Sequence, residues 1–282
     1  HKLVSLILIL VFSWGFSQEK ESKNPRVGLV LSGGGAKGLA HVGVLKTLDS
    51  LGVRVDYIAG TSMGAVVGAL YASGYTGQQL DSIIRSTNFN LLISDKVPRN
   101  SKTFYERKNS EKYVLTLPFN NFKIQLPSSI SRGQNVFNLL SKLTLNVSGI
   151  NDFSKLPIPF YCVATDIQSG EEVILDHGNL AQAIAASSAL PTLFQPVKLN
   201  NKLLMDGGIV NNFPVNGLLS KNLDYIIGVD VQDDLLMVDE LNSVSNIMLQ
   251  INNFRAVEEL NKKSKLLDIY ICLLYTSDAA DE

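Results

Sequence analysis

Short apolar runs alternate with segments of helical spacing along most of this chain. Arg26–Ser32 (RVGLVLS) is almost continuously apolar, as a strand buried on both faces requires. It breaks at Gly33–Gly38, after which Leu39, Val42, Val44, Leu45, Leu48 and Leu51 recur at close to helical spacing and stop at Gly52. Asp56–Gly60 repeats the strand pattern. Met63–Ser73 is small and apolar all round, which predicts a buried helix ended by Gly74. Strand, turn and helix, taken twice, is the order of a parallel sheet with crossover helices.

The remainder is less regular. Gly77–Thr87 has the pattern of an amphipathic helix, and Gln134–Val147 also reads as helical. Tyr113–Leu117 and Phe122–Leu126 flank Pro118–Asn121 as a hairpin with asparagine in the turn. Pro159–Ile167 and Glu172–Asp176 read as strands, and Asn179–Ala189 as a small-residue helix stopped by Pro191. Val197–Leu199 and Leu203–Met205 bracket Asn200–Asn201 as a second hairpin. Asp224–Val231 is another buried strand, Asp239–Leu267 is helical, and Asp268–Ile271 can close the sheet. No repeat or composition break divides the stretch 26–271, so it reads as one domain. Within it, Asn88–Ile150 is rich in Phe89, Leu91, Leu92, Ile93, Phe104, Tyr105, Phe119, Phe122 and Ile130. That segment reads as the core of a cap, with an acyl channel or a membrane-surface contact as the alternatives.

The two ends follow other rules. Residues 1–17 have a basic start, an apolar run and small residues at Gly15 and Ser17, the layout of a signal peptide cleaved near Ser17–Gln18. The apolar run is shorter than the ~20 residues that span a bilayer. Export follows from this reading, to a periplasmic, outer-membrane-associated or secreted location. Residues 18–25 are a polar linker. The chain starts at His1 and not at methionine, which reads as a fragment at this end, and from Cys272 onward CLLYTSDAADE is unlike what precedes it and reads as a non-native tail at 272–282.

Composition narrows the function classes. The 282 residues are 45% apolar and 18% charged, which excludes a disordered chain. A net charge of -1 gives no bulk attraction for nucleic acid. Two cysteines and three histidines build neither a disulfide framework nor a Cys/His zinc site. Cys162, inside an apolar run, reads as core filler. No metal, cofactor or oligomeric state is indicated.

Glycine-marked turns carry the chemistry. Gly60-Thr61-Ser62-Met63-Gly64 is a G-x-S-x-G between a strand and a helix, the setting in which a sharp turn projects a nucleophilic serine toward a helix N-terminus. Gly33-Gly34-Gly35-Ala36-Lys37-Gly38 is a G-x-G-x-x-G after the first strand. As a dinucleotide fingerprint it wants an acidic residue about 20 positions later, and Asp56 begins the next strand instead of ending it. As an oxyanion hole it supplies consecutive backbone N–H groups to an acyl carbonyl, which suits the serine one βα unit later. Asp206-Gly207-Gly208 is the third turn. His1 and His41 precede the serine and no histidine follows Asp206, so a Ser62–Asp206 dyad is the simplest arrangement. A Ser62–Asp166–His177 triad remains open as a competitor, as does a non-catalytic lipid-binding module whose glycines serve packing.

Together these residues resemble the patatin-like phospholipases. The likeness is carried by Gly33–Gly38, Gly60–Gly64, Asp206–Gly208 and Ala186–Pro191 ahead of Phe194-Gln195-Pro196, and the run Gly38–Leu45 is similar to the bacterial and neuropathy-target-esterase branch. The resemblance implies a three-layer α/β/α sandwich with a mainly parallel sheet, distinct from the standard α/β-hydrolase fold. It implies a lipid acyl hydrolase acting on phospholipid or lysophospholipid without metal or organic cofactor. Carried onto this chain, Ser62 is the nucleophile, Asp206 the base, and the N–H groups of Gly33, Gly34 and Gly35 the oxyanion hole.

Overall fold

The computed structural model describes residues 24–95, 103–105, 119–120, 123–124, 129, 131–232 and 235–273. The signal-peptide reading at 1–17, most of the 18–25 linker, the strand expected at 113–117, Phe122 and Ile130, and the 272–282 tail beyond residue 273 lie outside the described residues.

The first strand, β1 (Val27–Leu31), is wholly buried, and the glycine run folds as a tight three-residue-per-turn helix over Gly35–Ala40 before α1 (His41–Ser50) begins. The regular helix thus starts two residues later than its apolar spacing suggests. β2 (Tyr57–Thr61), α2 (Met63–Ala72) and α3 (Gly77–Ser86) follow, the last fixed at its start by a reciprocal pair between Thr76 and Gln79. A short helix that the pattern did not announce, α4 (Phe89–Ser94), is capped by the Asn88 side chain. The first hairpin pairs β3 (Phe119–Asn120) with β4 (Lys123–Ile124), so Phe119 and Asn120, expected in the turn, lie in a strand. Then come α5 (Gln134–Leu143), β5 (Phe160–Asp166), β6 (Glu171–Leu175), α6 (Leu180–Ser187), β7 (Val197–Leu199) and β8 (Lys202–Asp206). The chain closes with α7 (Asn216–Leu219), β9 (Tyr225–Asp230), α8 (Val244–Lys263) and β10 (Ile269–Cys272). Helical structure after Asp239 is broken at 241–243. The closing strand reaches one residue beyond Ile271, because Cys272 pairs with Asp230.

The central sheet runs β10-β9-β1-β2-β5-β8-β7, with β6 on the other edge of β5. Its middle is parallel and the β5–β8 end antiparallel. Alternate residues face opposite layers, as strand geometry demands. Leu29, Leu31, Ile58, Phe160, Cys162 and Ala164 join the larger core under α1, α2, α3, α5 and α6. Val30, Tyr57, Ala59, Tyr161 and Val163 join a smaller core with Phe213, Leu218 of α7 and Leu260 of α8. The sandwich is therefore three-layered, as expected, with one layer much thinner than the other.

One detail of register positions the site. β5 pairs through Phe160–Val163 with β2 and through Ala164–Asp166 with β8, while β6 covers Cys162–Asp166 on the opposite edge. β2 and β8 therefore occupy the same edge of β5, one after the other. Thr61 stands beside Val163 and Asp206 beside Ala164, so the last residues of two strands running in opposite directions meet head to head.

Candidate active site

Ser62 is the residue after β2, and the junction on β5 delivers it to Asp206. The Ser62 hydroxyl donates to Asp206 Oδ2 at 2.6 Å, across 144 residues of sequence. Both side chains are buried, at 4% and 3% exposure. Ser62 has φ 54° and ψ -123°, a strained conformation for a residue with a Cβ. Three groups hold it there. Its N–H donates to the Ser187 hydroxyl at 3.1 Å, Ser187 in turn donates to the Val163 carbonyl at 2.6 Å, and the Ser62 carbonyl accepts from Val66 N–H in the first turn of α2.

The flanking glycines are demanded by close backbone approach. A Cβ on Gly64 would collide with the carbonyls of Leu31 and Ser32, and one on Gly60 with the Gly64 peptide. Without them α2 could not start against the end of β1. Gly207 has its own version of this constraint, since a Cβ there would strike the Val163 carbonyl. A Cβ on Gly38 would strike Met63, and one on Gly208 would crowd Asp206 Oδ1 and Asn212 Oδ1.

Asp206 is anchored by its surroundings. Its Oδ1 accepts from Gly208 N–H at 2.7 Å, its carbonyl accepts from the Thr165 hydroxyl, and its N–H donates to the Ala189 carbonyl. Burial pushes its carboxyl up to about 6, against the pull of the hydrogen bonds from Ser62 and Gly208. Such a carboxylate is charged at neutral pH and still basic enough to take a proton.

The glycine turn lies beside the pair, with one correction to the oxyanion expectation. Gly33 N–H is already used, donating to the Asn212 carbonyl at 3.1 Å, and Gly33 is buried. The two amides that remain are those of Gly34 and Gly35, both partly exposed, with Gly35 at φ 53° lining the same cavity as Ser62. Asn212 also grips Gly33 from the other side, donating from Nδ2 to its carbonyl and to Gln232 Oε1. Behind the turn, buried His41 donates from Nε2 to the Ser32 carbonyl at 2.9 Å. Burial lowers its imidazole to about 4, so it is a neutral brace.

In front of Ser62 opens a cavity of about 520 Å³, within the usual range for ligand sites. Met63, Val66, Val67 and Leu70 of α2 form one wall, and α3, α4 and α5 supply Leu80, Ile83, Phe89, Leu92, Ile93, Val136, Leu140 and Leu143. Its lining is almost wholly hydrocarbon. Part of the Asn88–Ile150 segment therefore lines a channel, while Leu91, Phe104 and Tyr105 are exposed elsewhere on the surface.

Other sequence candidates fall apart. Asp166 pairs with Glu171 on β6, and His177 lies six residues further along the chain toward the opposite end of β5. At ~3.4 Å per residue that is roughly 20 Å away. The His177 ring instead meets Asp176 at 2.6 Å in solvent, so the Ser62–Asp166–His177 triad is not assembled. Asp56 binds Val27 N–H at the start of β1, the far end from the glycine turn, which removes the dinucleotide reading. Cys162 is a fully buried thiol whose ionisation burial pushes up, as core filler should be. Among the described residues no three His, Cys, Asp or Glu side chains are grouped to hold a metal ion. Three contributors had no assigned role in the sequence reading: Ser187, Asn212 and Gln232. The Ser187-Ser188 and Asn211-Asn212 doublets were visible, but only tertiary contacts distinguish them from ordinary loop polar residues.

A family model described as Patatin-like phospholipase matches residues 29–219. Among curated proteins, the lysophospholipase NTE1 of Meyerozyma guilliermondii is 28% identical over 257 residues, covering 90% of this chain and 16% of that protein. An NTE family protein of Mycobacterium tuberculosis, named as uncharacterized, is 31% identical over 210 residues, covering 74% of this chain and 50% of that one. This chain thus spans only a small part of the NTE1 relatives. Among solved structures, VipD from Legionella pneumophila aligns with a TM-score of 0.47 at 17% identity, covering 92% of this chain and 58% of that chain. ExoU of Pseudomonas aeruginosa, in complex with SpcU, aligns with 0.43 at 18%, covering 86% and 53%.

Proposed function

This chain belongs to the patatin-like phospholipase family, and from that premise we propose that it hydrolyses carboxylic esters of membrane lipids through a Ser62–Asp206 dyad and an acyl-enzyme. The observation that carries the reading is the 2.6 Å hydrogen bond between Ser62 and Asp206 at the mouth of a hydrocarbon-lined cavity. An ester carbonyl seated at Ser62 has its acyl chain in the cavity and its oxygen toward the amides of Gly34 and Gly35. Asp206 takes the hydroxyl proton as Oγ bonds to the carbonyl carbon, and negative charge collects on the oxygen. Two backbone donors and the N-terminus of α2 favour that charge. Collapse breaks the ester bond, and Asp206 returns the proton to the departing alcohol. A water then gives its proton to Asp206 and attacks the acyl carbon, which releases the fatty acid and restores Ser62.

Apolar walls explain the choice of lipid. Burying hydrocarbon contributes about 0.8 kcal/mol per methylene, so a fatty acyl chain gains far more here than a short ester does. The test is a panel of phospholipids and lysophospholipids run beside Ser62→Ala, with labelling by a fluorophosphonate serine probe. Turnover and labelling that vanish in Ser62→Ala support the reading. Turnover that persists in Ser62→Ala ends it.

A further inference from the structure

Beside the main cavity, a smaller groove of about 210 Å³ lies between α5 and α6. The two share Val136, Ser188 and Phe194. The direction of the helices tells where that shared wall stands. Contacts to the main cavity run from Met63 to Leu70 on α2 and from Val136 to Leu143 on α5. The Tyr75 hydroxyl, just beyond α2, donates to the Leu143 carbonyl, which puts the C-terminal ends of both helices together at the deep end. Val136 is therefore at the nucleophile's end. Ser188 follows Ser187, whose hydroxyl holds the Ser62 N–H, and so belongs to the same end.

The groove is a formed surface of α6. Gln182, Ala185 and Ser188 face it at three-residue spacing and are half-buried, while Ala183, Ile184, Ala186 and Ser187 between them are buried in the core. Its far wall is hydrocarbon from Phe137 and Val197, and exposed Arg132 stands on its rim.

We propose that this groove receives the second hydrocarbon chain of a two-chain lipid, which makes a diacyl phospholipid the better substrate and a single-chain lysolipid the poorer one. The inference rests on the hydrolase reading above. A glycerolipid whose scissile ester is at Ser62 sends one chain down the main cavity. Its other chain leaves the glycerol within a few bonds of the reacting carbon, so a second apolar channel must begin at the same end. This groove does. Arg132 on the rim supplies a cation where the anionic phosphodiester of such a lipid emerges.

The test compares dipalmitoyl phosphatidylcholine with palmitoyl lysophosphatidylcholine in mixed micelles, on the full chain, with wild type, Ala185→Trp and Gln182→Trp. Gln182 is half-exposed, so its replacement fills the groove's edge with little demand on the core. The lysolipid rate reports the amount of folded enzyme in every sample. The expected result is a fall in diacyl kcat/KM of about tenfold or more relative to the lysolipid value. An unchanged ratio in both variants, or equal loss on both substrates in Gln182→Trp, overturns the subsite and leaves the hydrolase reading standing. Wild-type protein inert on both lipids, or Ser62→Ala as active as wild type, overturns the hydrolase reading itself.

Discussion

Of the short hydrogen bonds to aspartate among the described residues, two invite comparison, each at 2.6 Å: Asp206 with the Ser62 hydroxyl, and Asp176 with the His177 imidazole. Their surroundings differ in every other respect. The Ser62–Asp206 pair is buried, held by backbone donors and faces a hydrocarbon cavity. The Asp176 and His177 side chains are 56% and 69% exposed, where water competes for each of them. Burial pushes the Asp206 carboxyl up to about 6. A short hydrogen bond is thus no mark of a catalytic pair by itself. What distinguishes one is dry surroundings, a fixed backbone and space for a reactant.

The comparison can be broken most directly by removing one member at a time. Ser62→Ala and Asp206→Asn should each lower kcat by ~10³-fold or more, with the double variant no worse, because the two act as a unit. Steady-state kinetics on a lipid ester decide this, and a mild loss in either variant places the base elsewhere. Gly64→Ala should come next, with a loss of activity of ~10²-fold and a lower Tm. Its new methyl group meets two backbone carbonyls that cannot step aside.

A pH profile sharpens the contrast further. The base must be ionised, so kcat/KM should rise through about pH 6 and level off above it. The profile should keep its midpoint in His177→Ala, with a plateau within about twofold of wild type, because that ring meets Asp176 in solvent and takes no part at Ser62. Stability should run the other way. Asp206 holds its proton more tightly folded than unfolded, so its burial costs stability increasingly as pH rises from about 4 to about 6. Asp206→Asn should accordingly raise Tm by roughly 5 °C at pH 8, with the gain disappearing below pH 4, in thermal melts.

Much of this was legible in the sequence, for local reasons. The buried strands β1, β2, β5 and β9 announce themselves because a strand covered on both faces needs a continuous apolar run. Ser62 and Asp206 are visible because glycines bracket or follow them, and Gly60, Gly64 and Gly207 stand where backbones touch. What stayed hidden depends on register. Nothing in residues 202–206 says that β8 will pair with the second half of β5 and not with β2. Nor does the sequence around Gly33 reveal that Asn212 takes its N–H, which left three amides expected where two are free to serve. Helix α4 was hidden for another reason, since six residues are too few to display a period. The Ser62–Asp166–His177 alternative stays open in the sequence because His177 is the one histidine after Ser62, and only the pairing of β5 with β6 shows how far it lies from Asp166.

The shared edge of β5 has a consequence for how this protein comes into being. During synthesis Ser62 leaves the ribosome 144 residues before Asp206, and the two face each other only once β8 has docked behind β2 along that edge. Until then the elbow has no carboxylate beside it, and Gly33 lacks the asparagine that braces it. A copy that stops short of β8 therefore carries the strained serine turn without its partner, and the pair proposed to act on lipid esters is completed only when that strand is in place.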